Sequence, residues 1–470
     1  MSDDPQVLVE AGLEAARSLA GGPFGAVVIV EESWQVNLRW ALSGLTTNGF
    51  TRSRTVTAVV TTPVEGGTAA GVLTRPATDV TAVRALVADA AGVARTGAPA
   101  EDAAELVSGD VLPGWDDPAE ETGPATLADV AGALGELFAR DRATPGRESF
   151  GFARHELSTS WLGTSGGLRY RVVEPVGMIE LNGKSENRSR SAWAGRGTRD
   201  FTDVDVPALD AEISQGLAWQ ANRIALPPGR YDTVLPPSAV ADLMVYAYWS
   251  ADARSAAEGR SVYSAPGGPP GRTRLGEPLT DVPLSLRSDP ADPALGCADR
   301  VIARASSPTA SVFDNGLPTP AVHWLDGGRL TALAGTRHTE ALTGVPRAGA
   351  VGNLSLSAPE GTGTAVDLAA GLGDGLLLTC LWYIREVDPQ TLLLTGLTRD
   401  GVYVVRGGEV VGATSNFRFN ESPVDALSRV AAVGAPELCL PREWSDWFTR
   451  ARMPALLVRG MNMSSVSEAS

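Results

Sequence analysis

Leu376-Leu377-Leu378-Thr379-Cys380-Leu381-Trp382-Tyr383-Ile384, closed by the turn signal Asp388-Pro389, is the stretch on which the fold is decided. An apolar, aromatic run of this length that ends in Asp-Pro reads as a core strand. Residues 392–398 repeat the pattern. Beyond them, Gly401-Val402-Tyr403-Val404-Val405-Arg406 faces Glu409-Val410-Val411 across Gly407-Gly408, two residues free to adopt the positive φ of a type I′ hairpin. Asn416-Phe417-Arg418-Phe419-Asn420 then alternates strictly, which sends Phe417 and Phe419 to one face and Asn416, Arg418 and Asn420 to the other. Ser422 before Pro423, with Asp425 three residues on, predicts a helix N-cap, and Gly434 predicts the stop of a helix of about ten residues.

The same stretch carries a family resemblance. Asp388-Pro389, Thr395-Gly396, Arg399-Asp400-Gly401-Val402-Tyr403, Gly408-Glu409-Val410 and Asn416-Phe417-Arg418 resemble the closing motifs of the TldD/TldE (PmbA) family of modulator-of-gyrase peptidases. Upstream, Pro227-Pro228-Gly229-Arg230-Tyr231 with Val234-Leu235-Pro236 resembles the strand that begins the family's C-terminal domain. Phe313-Asp314-Asn315-Gly316-Leu317-Pro318-Thr319 resembles its acidic-glycine turn, Gly352-Asn353 its glycine-asparagine element, and Pro454-Ala455-Leu456-Leu457-Val458 its last strand. The likeness covers roughly residues 225–460; the N-terminal half matches only in layout.

In the catalytic TldD branch, the resemblance implies an HExxxH helix just after the first strand of that domain, with two histidines holding zinc and a glutamate activating water. Zinc catalysis needs about three protein ligands and one open position for water. Here the corresponding stretch is Val240-Ala241-Asp242-Leu243-Met244-Val245-Tyr246-Ala247-Tyr248-Trp249, without histidine or glutamate. The chain has three histidines, His155, His323 and His338, no two within a helical turn of each other. His155 reads as a histidine near a strand start, His323 as a strand residue and His338 as part of a loop. Cys439 falls where the family places a cysteine ligand, but one thiolate without histidines makes no zinc site.

Composition narrows the partners. With 470 residues, 43% hydrophobic content and mean hydropathy near zero, the chain has room for two or three globular domains. Its net charge of −16 argues against nucleic acid, which requires clustered cations. The local basic group of Lys184, Arg188, Arg190, Arg196 and Arg199 reads as a solvated loop. Lys184 is the single lysine, so arginine usage reflects coding bias and single arginines carry little functional weight. Cys297, Cys380 and Cys439 are widely spaced and imply no disulfide framework. The acidic start Met1-Ser2-Asp3-Asp4 has no signal-peptide pattern, and no apolar run is long enough to span a bilayer, so a cytoplasmic protein without a membrane partner is expected.

Along the chain, residues 6–20 have helical spacing, 25–30 and 34–40 read as two strands joined by a turn, and 54–60 as a third. Helices are expected near 79–93 and 125–140. A glycine-rich hairpin is expected between Trp161 and Tyr170, strands at 169–176 and 177–181, and a hairpin turn at Asn182-Gly183. Residues 265–295 lack periodicity, which suits a lid or an arm reaching a neighbouring subunit. The expected fold is α+β: an N-terminal α/β layer domain (1–225) followed by a sheet-rich, antiparallel, barrel-like C-terminal domain (226–470).

The resemblance implies a TldE-like, metal-free subunit of a two-chain zinc peptidase for unfolded proteins and peptides, with no cofactor of its own and zinc in a TldD-like partner. Within it, Arg399 and Asp400 at a turn and the strand face Asn416, Arg418 and Asn420 are the expected substrate or interface contacts; no catalytic or metal residue is expected. The alternative is a stand-alone peptide-binding or regulatory homodimer. A third reading, an independent hydrolase using Cys439 or a recruited metal, lacks the ligands it needs.

Overall fold

A computed structural model describes residues 3–268 and 271–467. Met1, Ser2, and Pro269-Pro270 of the aperiodic segment lie outside the described residues. The first half contains α1 (Pro5–Ser18), β1 (Gly25–Ala41), β2 (Gly44–Val64), β3 (Gly67–Arg75), α2 (Val80–Thr96), α3 (Ala128–Ala143), β4 (Glu148–Thr164), β5 (Arg169–Ser185), β6 (Arg190–Thr198) and α4 (Val206–Trp219). Its strands form one antiparallel sheet in the order β3-β2-β1-β4-β5-β6. Residues 25–41 are one continuous strand rather than two. Glu31, Glu32 and Ser33, the polar residues that suggested a turn, pair instead with Thr55, Arg54 and Ser53 on one side and with Ser160, Thr159 and Ser158 on the other.

Asn182-Gly183 likewise lies inside β5, where a Cβ on Gly183 would strike Ile213 of α4. This glycine serves close helix packing, and the chain turns later, at Glu186, Asn187 and Arg188, all with positive φ. The supposed basic loop is thereby mostly strand: Lys184 is in β5, and Arg190 and Arg196 are in β6.

The second half begins with β7 (Gly229–Leu235), α5 (Pro237–Trp249), β8 (Ser285–Ser288), β9 (Val322–Asp326), β10 (Arg329–Leu330), β11 (Leu354–Ser357), β12 (Asp374–Asp388) and β13 (Leu393–Arg406). It continues with β14 (Glu409–Thr414), β15 (Phe417–Glu421), β16 (Val430–Val433), β17 (Glu437–Cys439), β18 (Ala451–Met453) and β19 (Leu456–Val466). The path β12-β7-β19-β15-β13 closes on itself through β12–β13 pairing, giving a five-stranded barrel. Closure leaves these strands no free edge. A second sheet, β10-β9-β8-β11-β18-β17, packs beside it. The fold is α+β, with the expected barrel.

The hairpin at Gly407-Gly408 forms as expected, with φ of 58° and 84° and Arg406 opposite Glu409. Phe417 and Phe419 are fully buried, while Arg418 is exposed. Ser422 caps its helix by accepting from the Asp425 amide, but that helix is only Pro423–Ser428, because residues 430–433 leave it to pair with β19. His338 lies in the short helix Arg337–Thr343, capped by the Thr336 side chain, and not in a loop. Segment 265–295 packs on its own chain: Leu279, Leu284, Leu286 and Leu295 are buried, residues 285–288 form β8, and Asp292 binds Arg452.

α5 runs between the barrel and the second sheet, and all its residues but Tyr246 and Trp249 are buried. A helix apolar on every side belongs in a core. Among the described residues, no helix is long and apolar enough to cross a membrane.

Candidate functional site

The helix that would carry HExxxH begins at Pro237, and its N-terminal end lines a cleft of about 400 Å³. Strands β6, β12, β13 and β17, the helix α4 and residues 364–366 form the remaining walls. Residues 192–196 of β6 line it consecutively, residues 377–379 of β12 form the floor side, and residues 437–439 of β17 close the far edge. Among the described residues β6 pairs only with β5, and β17 only with β18, so each has one edge without a strand partner; on β6 the Gln220 side chain bonds the Ser191 amide and carbonyl, and Arg196 donates to the Gly195 carbonyl. The two edges meet at Gly197, where a Cβ would lie 2.8 Å from the Thr449 carbonyl oxygen and 3.1 Å from that of Cys439. Only glycine allows this approach, and it lies between the strand from the first half and the sheet from the second.

The cleft brings Cys439 and the N-terminus of α5 together, as the resemblance implied, but the residues there do not fit zinc. α5 contains no histidine or glutamate, and among the described residues no group of three or more His, Cys, Asp or Glu could hold a metal. Cys439 is 5% exposed, its thiol reaches the Ala451 carbonyl at 3.7 Å, and burial pushes its pKa far up, so it stays a thiol. Asp242, in the middle of α5, is fully buried. Its Oδ1 accepts from the Glu443 amide at 3.0 Å and its Oδ2 has no hydrogen-bond partner among the described residues; burial raises the carboxyl well above the ordinary range, favouring the neutral acid.

The histidines are elsewhere. His155 is buried in β4, where its ring contacts the Thr122 hydroxyl at 2.7 Å and the Arg199 carbonyl at 3.0 Å, and burial lowers its pKa. His323 is a β9 strand residue, as expected, and His338 stands near Glu101.

Of the five expected contact residues, Asp400 has the most definite place. Arg399-Asp400-Gly401 is no turn: it is a bulge inside β13, with Asp400 at φ 55° and Gly401 at φ 133°, where pairing with β12 shifts register. The bulge aims Asp400 inward to the seam between the two halves. There it accepts from Asn182 at 3.1 Å, from the Ser191 hydroxyl and from Arg442. Burial alone would raise this carboxyl, but Arg442 and the other donors outweigh it and hold the pKa below its usual value. Arg442 is sandwiched between Trp193 and Trp382, 4.9 and 5.0 Å from their ring centres, and also donates to the Cys380 sulfur at 2.6 Å. Burial pushes the Cys380 thiol up to about 12.

Asn416 and Asp400 line one small polar pocket with Gln220 and Arg223, whereas Arg399, Arg418 and Asn420 lie outside it. Arg418 donates to Thr395 at 3.4 Å on the outer face of β15. Sequence reasoning missed the cleft walls: Trp193, Glu212, Trp219, Tyr403 and Glu437 come from four separate elements, and no local pattern links them.

The fold and cleft define a two-part α+β protein with a closed barrel and a groove at the seam. Residues 228–465 match the family model described as the PmbA/TldA metallopeptidase C-terminal domain, so the chain belongs to the TldD/TldE/PmbA metallopeptidase-like family. Three solved structures share the fold over nearly the whole chain. TldE from Thermococcus kodakarensis is 13% identical with a TM-score of 0.75, covering 97% of this chain and 99% of that one. A candidate modulator of a DNA gyrase from Thermotoga maritima MSB8 is 15% identical (TM-score 0.71; 97% and 99% covered). A candidate modulator of DNA gyrase from Bacteroides thetaiotaomicron VPI-5482 is 14% identical (TM-score 0.73; 99% and 100% covered). At such identities these likenesses speak for the fold alone. No curated protein sequence matches the chain.

Proposed function

We propose that this chain is the non-catalytic, TldE-like subunit of a two-chain peptidase acting on unfolded proteins and peptides, with zinc and hydrolysis supplied by an HExxxH-bearing, TldD-like partner. The observation that carries this reading is the conjunction at the cleft: family membership, a helix in the expected place, and side chains there that cannot bind zinc. The two strand edges that lack a strand partner support a peptide ligand, because an extended chain binds such edges through its backbone with little sequence selectivity, while a folded chain cannot. Arg399, Asp400, Asn416, Arg418 and Asn420 remain proposed interface or substrate contacts, Asp400 being also bonded across the seam to Asn182 and Ser191. A net charge of −16 favours protein over nucleic acid as partner, and a cytoplasmic setting accords with the reading.

Casein hydrolysis tests it, measured with this chain alone, with the HExxxH homologue of the same organism alone, and with the mixture. Activity in the mixture only is expected. Metal-dependent hydrolysis by the single chain would overturn the proposal. A homologue whose activity is unaffected, with no co-elution, would replace it with the stand-alone peptide-binding role.

A further inference from the structure

We propose that the cleft contains a subsite for a basic side chain, lysine or arginine, of an extended polypeptide, with Glu437 as the residue that selects it; the inference rests on the peptide-binding reading above. Three charged side chains line the cleft: Arg196, Glu212 and Glu437. Arg196 of β6 is ion-paired with Glu212 of α4. Glu437, at the start of β17, has no hydrogen-bond or ion-pair partner among the described residues; burial raises its carboxyl and the charge of Arg196 lowers it, so one arginine serves two glutamates and the cleft carries one net negative charge.

Beside these charges the wall is apolar. Trp219 packs edge-on against Tyr403 with ring centres 4.9 Å apart, Val366 is 52% exposed, and Leu377 completes the surface. An apolar wall that shares its cleft with one net negative charge suits a side chain with a long hydrocarbon stem and a cationic head. Neither part alone would select it: the wall would accept leucine, and the carboxylate would attract any cation. A peptide laid along the β6 edge projects alternate side chains to each side, so one position in two could reach the subsite.

The test uses the full chain and fluorescein-labelled decapeptides of serine and threonine whose central residue is lysine, norleucine or glutamate, read by fluorescence anisotropy. Norleucine keeps the stem and removes the charge. The expected order at low salt is lysine over norleucine by about three- to five-fold, with glutamate weakest. The preference should shrink at about 0.5 M salt, where screening is strong. E437Q should bring lysine and norleucine to parity, whereas R196Q, which unmasks Glu212, should widen the gap. Opposite signs from two surface substitutions exclude a general loss of folding. Equal binding of all three peptides, or a lysine preference that E437Q leaves intact, would overturn the subsite while sparing the peptide reading. Absence of binding by every peptide would overturn both.

Discussion

The six-stranded sheet and the five-stranded barrel are both mainly antiparallel, yet the chain builds them in contrasting ways. In the first sheet, four of the five strand pairs join neighbours in sequence, and only β1 with β4 reaches across the two intervening helices. Its registers run unbroken for up to sixteen residue pairs, as between β4 and β5. In the barrel, β7 pairs with β19, more than two hundred residues away, and with β12 in parallel over two positions. Register breaks are frequent there, and the break at Asp400 turns a charged side chain into the seam. Regular sheet supplies the platform; irregular sheet supplies the polar contacts that join platform to barrel.

The largest expected effect comes from breaking that join. Asp400→Ala leaves the buried Arg442 guanidinium without its carboxylate, and a loss of about 3–5 kcal/mol is expected in denaturant unfolding. An unchanged midpoint would mean the seam is held by packing alone. Within the barrel, Phe417→Ala empties a fully buried site against Tyr231 and should cost about 3 kcal/mol or more. Ser422→Ala removes the cap from Pro423–Ser428, for a loss of about 1 kcal/mol in the same assay.

In the first sheet, His155 tests burial rather than charge pairing. Its folded pKa lies below the unfolded value near 6.5, so the unfolded chain binds the proton more readily. Stability is therefore full above about pH 6.5, falls as pH drops towards the folded value, and levels off below it. A His155→Gln variant should lose that slope in unfolding midpoints measured between roughly pH 7.5 and 5. The smallest effect is Arg418→Ala on the outer face of β15, expected to stay within about 0.5 kcal/mol. If Arg418 contacts a partner or peptide, that variant should instead weaken co-elution or binding without moving the unfolding midpoint.

Much of this was legible because it was local. Alternation exposed the two faces of β15, paired glycines exposed the hairpin after β13, and Ser422-Pro423 exposed a helix start. Local signals also misled where tertiary contacts overrode them. Asn182-Gly183 has the chemistry of a turn, but α4 needs a small residue there. Glu31-Glu32-Ser33 has the polarity of a loop, but partners on both sides keep it in strand. Arg399-Asp400-Gly401 also reads as a turn, because a bulge and a turn ask for the same positive φ.

By itself the sequence determined the barrel strands, the family likeness and the lack of HExxxH on the helix that would bear it, since each depends on residues adjacent in the chain. Only the tertiary structure decided where the cleft lies, that Asp400 is a buried clamp and that Glu437 has no hydrogen-bond or ion-pair partner among the described residues. Those properties arise from side chains far apart in the chain, 209 and 218 residues for Asp400 with Ser191 and Asn182, and their burial and pairing exist only once the sheet and barrel have closed on each other.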